Sequence, residues 1–252
     1  MARQKGLIKL KGTMGDITFY RTKDGYMARE KTSITGDRLR NDPAFQRTRE
    51  NMAEFGRAGK AGKVLRGSFQ SLLRNVSDSR MVSRLTKEMM KVIQLDAVNP
   101  RGQRNVIDGE AELLDGFEFN INAKLDTTLS TPFTGTLDRA AGEATIEIDP
   151  FVPAESIAAP EGSTHYKIVS GGTDIDFESG LFVSKVSETE ILPLNAPTDE
   201  AIQLQNALPA DSTNPQFLLL GISFYQEVNG TFYELKNGAF NALKIVKVSG
   251  TP

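Results

Sequence analysis

Reactions at neutral pH need titratable or nucleophilic side chains at set spacings, and this chain offers few. Its one histidine, His165, has no serine, carboxylate or second ligand at a motif spacing. An ordinary strand position is expected for it, because a triad or metal site needs partners. Asp174-Ile175-Asp176-Phe177-Glu178-Ser179-Gly180 starts like a calcium loop, but the required sixth-position glycine is Ser179 and the twelfth-position carboxylate is Lys185. Alternating acids on the wet face of a strand is the better reading. Gly59-Lys60-Ala61-Gly62-Lys63 shares the composition of a phosphate loop. It lacks the earlier glycine, the following Ser/Thr and a preceding apolar strand, so that role is rejected. Gly-x-Ser-x-Gly, His-Glu-x-x-His and Gly-x-Gly-x-x-Gly do not occur. No enzyme activity, cofactor or metal is expected.

The charge pattern says more. Residues 1–109 hold 23 Lys+Arg against 11 Asp+Glu, and residues 110–252 hold 7 against 21, so a near-neutral total hides two opposed halves. Such a chain can bind copies of itself, or turn its basic part to a polyanion. The candidate contacts on the helical run are Arg47, Arg49, Arg57, Lys60, Lys63 and Arg66, which could track phosphates or meet the acidic half of another copy. Arg21 and Arg29, beside Tyr20 and Tyr26, complete the set; the tyrosines could stack on bases or form cross-strand pairs.

The elements carrying these residues read in three stretches: 1–36, an N-terminal β-arm; 37–109, a basic helical region and linker; and 110–252, an acidic β-sandwich. In the arm, Leu7–Lys11, Asp16–Thr22 and Tyr26–Lys31 read as strands, with turns at Gly12–Gly15 and at Lys23-Asp24-Gly25. Three short strands have too little core to stand alone, so the arm must pack on something. Asn41-Asp42 before Pro43 is a helix start, followed by Phe45, Met52, Phe55, Gly59, Gly62, Leu65, Phe69, Leu72 and Leu73 near helical spacing. The glycines at 56, 59 and 62 either form a flat face for another backbone, or the helix breaks near Gly62 or Gly67. A second helix from a Ser79 cap to Gln94 should bury Val82, Leu85, Met89, Val92 and Ile93. Asp96–Gly109 reads as a linker.

Beyond it strands are expected at Phe117–Leu125, Gly142–Ile148, His165–Ser170, Thr173–Glu178, Leu181–Thr189, Phe217–Val228, Thr231–Leu235 and Ala239–Val248. Asn229-Gly230 and Asn237-Gly238 should join the last three in a meander. The stretch 195–215 reads as a long loop with a helical turn near Glu200–Asn206. The expected class is α+β: a β-meander arm and basic helices, then an antiparallel β-sandwich of immunoglobulin-like size.

With 39% hydrophobic and 25% charged residues the chain should fold, and its lack of cysteine excludes disulfides and thiolate chemistry. No run approaches the ~18 apolar residues of a membrane span, and the N-terminus is basic without an apolar run behind it. Membrane insertion and a signal peptide are therefore not expected. The expected location is the cytoplasm, or a particle released by lysis.

Three segments carry a resemblance: Gly6-Leu7-Ile8-Lys9-Leu10-Lys11-Gly12-Thr13-Met14-Gly15-Asp16, Asp24-Gly25-Tyr26-Met27-Ala28-Arg29, and Asn41-Asp42-Pro43-Ala44-Phe45 through Asn51. With Leu220-Gly221-Ile222-Ser223-Phe224-Tyr225 near the C-terminus, they make the chain resemble an uncharacterised family of Bacteroidota proteins. The resemblance implies a glycine-punctuated arm, an Arg-rich helix and a β C-terminal part, and no activity. The layout also resembles phage or contractile-tail building blocks. The leading expectation is a self-assembling structural protein of a phage-like tube, shell or filament, its own copies being the partner. The alternatives are nucleic-acid binding or packaging through the Arg-rich helix, and a carbohydrate- or protein-binding sandwich using Tyr225, Phe232 and Tyr233.

Overall fold

A computed structural model describes residues 1–31, 34–76, 78–235 and 238–251. The fold is mixed α+β, with antiparallel sheets, N-terminal strands and a long helix. It divides into two compact units, Met1–Arg49 and Glu50–Pro252, with the division inside the long helix.

The first unit is a four-stranded antiparallel sheet of β1 (Ala2–Arg3), β2 (Gly12–Met14), β3 (Ile17–Thr22) and β4 (Gly25–Glu30), in the order β1-β4-β3-β2. The expected hairpin forms, with Thr22 opposite Gly25. The expected first strand, Leu7–Lys11, is instead an irregular loop, and Gly12–Met14, expected as a turn, is a strand. The cause is local: the Gln4 side chain bonds both the N–H and the C=O of Leu10, closing a loop that an extended segment could not form. Helix α1 (Gly36–Asn41) follows, capped by Thr35. Asp42 then caps a 3-10 turn, Pro43–Phe45, by accepting the Ala44 N–H, as the Asp-Pro pair foretold.

The second unit is layered around a six-stranded sheet. Helix α2 (Gln46–Ser68) passes through Gly56, Gly59 and Gly62 unbroken, followed by α3 (Gln70–Leu73) and α4 (Met81–Gln94). The buried stripe of α2 is Glu54, Ala58, Ala61, Gly62, Leu65 and Ser68, while Met52 and Phe55, expected on the packed face, are exposed. That face is made mostly of small residues, and a Cβ on Gly62 would stand at ordinary contact distance, 3.6 Å, from Leu85 of α4. Helix α4 buries Leu85, Met89, Val92 and Ile93 as expected, but leaves Val82 exposed, and Arg80 rather than Ser79 stands at its cap.

The 96–109 stretch is irregular but pinned. Buried Asp96 accepts the N–H groups of Val98, Asn99 and Asn105, and Glu54 accepts that of Gly102. Phe117–Leu125 forms no strand. Gly116, Phe117 and Phe119 share three backbone hydrogen bonds with the final strand, after which the chain turns into a four-residue helix, α5 (Leu125–Thr128).

Strands β5 (Phe133–Asp138) and β6 (Glu143–Ile148) come next, then a short helix, α6 (Pro153–Ser156). The sheet strands β7 (His165–Ile175), β8 (Phe182–Glu188) and β9 (Leu192–Pro193) follow, then β10 (Ile202–Ala207), β11 (Gln216–Val228), β12 (Thr231–Glu234) and β13 (Ala242–Ser249). The small sheet has the order β10-β6-β5; the large one runs β12-β11-β7-β8, with β13 on β11 and β9 on β7.

Two strands expected at 165–170 and 173–178 are one, because Gly171-Gly172 is a close approach and not a turn. A Cβ on Gly171 would lie 2.7 Å from Leu72 and 3.2 Å from the Phe69 ring; one on Gly172 would lie 3.0 Å from Asn206 Cβ and 3.1 Å from Ala144 Cβ. The helices thus press on one face of β7 and the small sheet on the other.

Strand β11 shows the same two-sided burial. Phe217 and Leu219 join the helical cluster with Leu65, Phe69 and Met89, while Leu218, Leu220, Ile222 and Phe224 join the sandwich cluster with Ile146, Ile148 and Leu204. A strand covered on both faces reads as a continuous apolar run, which Phe217–Ile222 is.

The helical turn expected at 200–206 is strand β10: Leu204 and Asn206 point inward while Gln203 and Gln205 point out, a period of two. The last three strands do not form a simple meander. The Asn229-Gly230 hairpin, with both residues at positive φ, puts β12 on the outer end of β11, and β13 pairs with its inner part. Between them, buried Asn241 accepts the Phe224 N–H where strand pairing is interrupted. Asn237 lies outside the described residues.

Candidate functional site

The N-terminal unit has no buried residue among those described. Cross-strand pairs hold it instead: Arg21 lies opposite Tyr26 with its guanidinium 5.6 Å from the ring, and Arg29 stands 5.7 Å from Tyr20. The two arginines and two tyrosines named from the sequence therefore pair with each other.

Apart from Met1, its most exposed apolar side chains belong to the loop between β1 and β2. Gln4 clamps Leu10 from both sides and also donates to the Met27 carbonyl, and the Lys9 ammonium fills the loop by donating to the carbonyls of Gln4 and Gly6 at 2.7 and 2.6 Å. This fixes a tip at which Leu7 and Ile8 are 103% and 82% exposed. Arg3, Lys5, Lys9 and Lys11 flank the tip in sequence, and the first acid in the chain is Asp16.

The basic helix spends part of its charge internally. Arg49 donates to the carbonyls of Leu39 and Asp42, Arg57 to those of Gly102 and Arg104, and Arg66 to that of Gly62. Arg47, Lys60 and Lys63 are exposed and make no ion pair among the described residues. Lys60 and Lys63, three residues apart on α2, lie about 60° from each other and share one side of the helix. Arg57 and Lys60 alone meet, in a hollow of about 590 Å³ beside Asn105 and Asp108. Each described ion pair joins two residues on the same side of the 109/110 charge boundary, from Arg38–Asp42 through Lys244–Asp126.

On the acidic half, the segment 188–204 folds into a groove of about 500 Å³ beside β7. Strand β9 fixes one wall by pairing Leu192 with Tyr166, and Thr198 fixes the other by exchanging hydrogen bonds with Phe151. Leu192, Pro193, Ala196, Ile202 and Leu204 supply apolar lining. Glu190, Asp199 and Glu200 line it too, exposed and without an ion pair among the described residues. Glu188 is engaged with Lys167 at 2.9 Å; burial works against that ammonium, but Glu188 more than offsets it and holds the amine above its ordinary value. Tyr166 lines the groove at full burial. Its hydroxyl has no hydrogen-bond partner among the described residues, and burial pushes it up to about 12.

The groove was missed in the sequence. Its acids at 190, 199 and 200 have no regular spacing, and the alternation of Ile202 and Leu204 with glutamines was its one readable signal. A second hidden feature is Glu118, whose carboxylate accepts the Leu125 N–H at the start of α5; burial pushes it up to about 7 despite that bond and nearby Lys244.

The remaining sequence candidates have local duties. His165 packs edge-on against Phe232, 4.8 Å between centroids, and contacts Thr164 and Glu227. Asp176 closes the β7–β8 turn by accepting from the Ser179 hydroxyl and from the N–H groups of Ser179 and Glu178, which hold its carboxyl below the usual range. Phe232 and Tyr233 are exposed on β12, beside Tyr225 on β11. No helix among the described residues is long and apolar enough to cross a membrane. The chain matches no protein-family model, no curated protein and no solved structure.

Proposed function

We propose that this chain is a structural protein that assembles with copies of itself into a phage-like tube, shell or filament, formed in the cytoplasm or released with a particle on lysis. The observation that carries the reading is the N-terminal unit. It is ordered by hydrogen bonds and ring–cation pairs yet has no buried residue, and it holds Leu7, Ile8, Met14 and Ile17 in water. An isolated sheet of this size is marginal, and an exposed apolar set on an ordered element is characteristic of an interface awaiting its partner.

The charge distribution supports the same reading. Cations of the front and acids of the back are not paired to each other in the described ion pairs, so both remain for neighbouring copies. The basic helix gives less to a nucleic-acid role, since Arg49, Arg57 and Arg66 already serve backbone carbonyls. Negative-stain imaging of the purified protein at low salt tests the proposal. Regular tubes, rings or shells are expected; a field of single globules at every concentration tried rejects it.

A further inference from the structure

The loop and the groove described above are complementary in charge and both present apolar side chains, and we infer that Leu7 and Ile8 of one copy seat in the groove between β9 and β10 of a second copy. The inference rests on the assembly reading and names its contact.

Three observations carry it. The loop is preorganised by Gln4 and Lys9, so presenting two aliphatic side chains needs little further ordering on binding. The groove has apolar walls at Leu192, Pro193 and Ile202 and, at about 500 Å³, is in the size range of sites that enclose a ligand. The loop region, from Met1 to Gly15, carries four cations and no acid, and the groove carries Glu190, Asp199 and Glu200 unpaired among the described residues. A second copy is the occupant because loop and groove come from one sequence in equal number, and the unit bearing the loop has no core of its own.

The natural absence of cysteine makes the test direct. Full-length Ile8→Cys and Ala201→Cys chains are mixed at low salt under mild oxidation and run on a denaturing gel; Ala201 is an exposed residue of the groove. A disulfide-linked dimer containing one chain of each kind is expected, absent when either variant is alone and lost when Glu190→Lys and Glu200→Lys are added to the Ala201→Cys chain. Sedimentation of the unmodified protein is run in parallel. Association without the mixed dimer overturns the docking while leaving assembly standing; a monomer at all concentrations overturns both. A chain carrying both cysteines that closes only on itself shows the loop in its own groove and likewise overturns the inference.

Discussion

Replacing Gly172 by alanine tests the layered core more sharply than any truncation. The added Cβ would lie 3.0 Å from Asn206 Cβ and 3.1 Å from Ala144 Cβ, both fixed directly to the backbone of the opposing sheet. Relief requires the two sheets to separate by a few tenths of an ångström, in a core that is close-packed. Overpacking of this kind costs about 1–3 kcal/mol, against a gain of about 0.4–1 kcal/mol from a less flexible unfolded chain. The expected net loss is about 1–2 kcal/mol. Gly171→Ala should cost less. Its nearest contact, 2.7 Å, is the end of the Leu72 side chain, which borders a cavity of about 100 Å³ into which it can turn. In an Ala144→Gly background one of the two contacts is gone, and Gly172→Ala should cost about half as much. Urea unfolding followed by far-UV circular dichroism reads these variants and Ala144→Gly alone, with stability taken from the midpoint at unchanged slope. A Gly171→Ala loss equal to or larger than that of Gly172→Ala, or additivity of Gly172→Ala and Ala144→Gly within about 0.5 kcal/mol, would refute the reasoning.

Three further outcomes follow from individual side chains. Asp96→Ala leaves the N–H groups of Val98, Asn99 and Asn105 without their buried acceptor and should cost about 3 kcal/mol in urea unfolding. Burial alone would raise the Asp96 carboxyl, but those bonds hold it below its ordinary 3.8, so the contribution is present above that value and is lost as pH falls through the lower folded one. Glu118 behaves oppositely: its folded value of about 7 exceeds the ordinary 4.5, so stability is full below 4.5 and declines as pH rises to 7. Glu118→Gln should therefore leave the thermal midpoint unchanged near pH 4 and raise it at pH 8, and a pH-independent difference would count against the burial argument. Arg139 spreads its three nitrogens over Ser212, Asn214, Ser249 and Gly250, and Arg139→Lys, with one point of donation, should lose about 2 kcal/mol on denaturant unfolding.

Signals that are local in the chain were legible. Asp24-Gly25 and Asn229-Gly230 form their hairpins, Asp42-Pro43 starts its helix, and the apolar stripe of α4 faces the core at four of five expected positions. What failed depended on the third dimension. Gly171-Gly172 has the composition of a turn, and only the helices on one side and the small sheet on the other explain why glycine stands there inside a strand. Met52 and Phe55 share the near-helical spacing of this stretch, yet the buried face of α2 is Ala58, Ala61, Gly62 and Leu65, and both large residues are exposed. Leu7–Lys11 alternates like a strand until the Gln4 side chain, six residues from Leu10, closes it into a loop. Of the site, the opposed charges were readable and the groove was not, since its walls meet only when β9 and β10 are placed beside Tyr166.

The central claim is that the coreless basic arm and the acidic sandwich meet in different molecules. Sedimentation equilibrium of the intact protein over a concentration series, at ~10 mM and at ~1 M salt, measures this most directly, since the screening length falls from about 30 to about 3 Å between them. The expected result is a mass several times the 27.6 kDa of the chain at low salt, rising with concentration and falling toward one chain in high salt. A mass of one chain throughout contradicts the account.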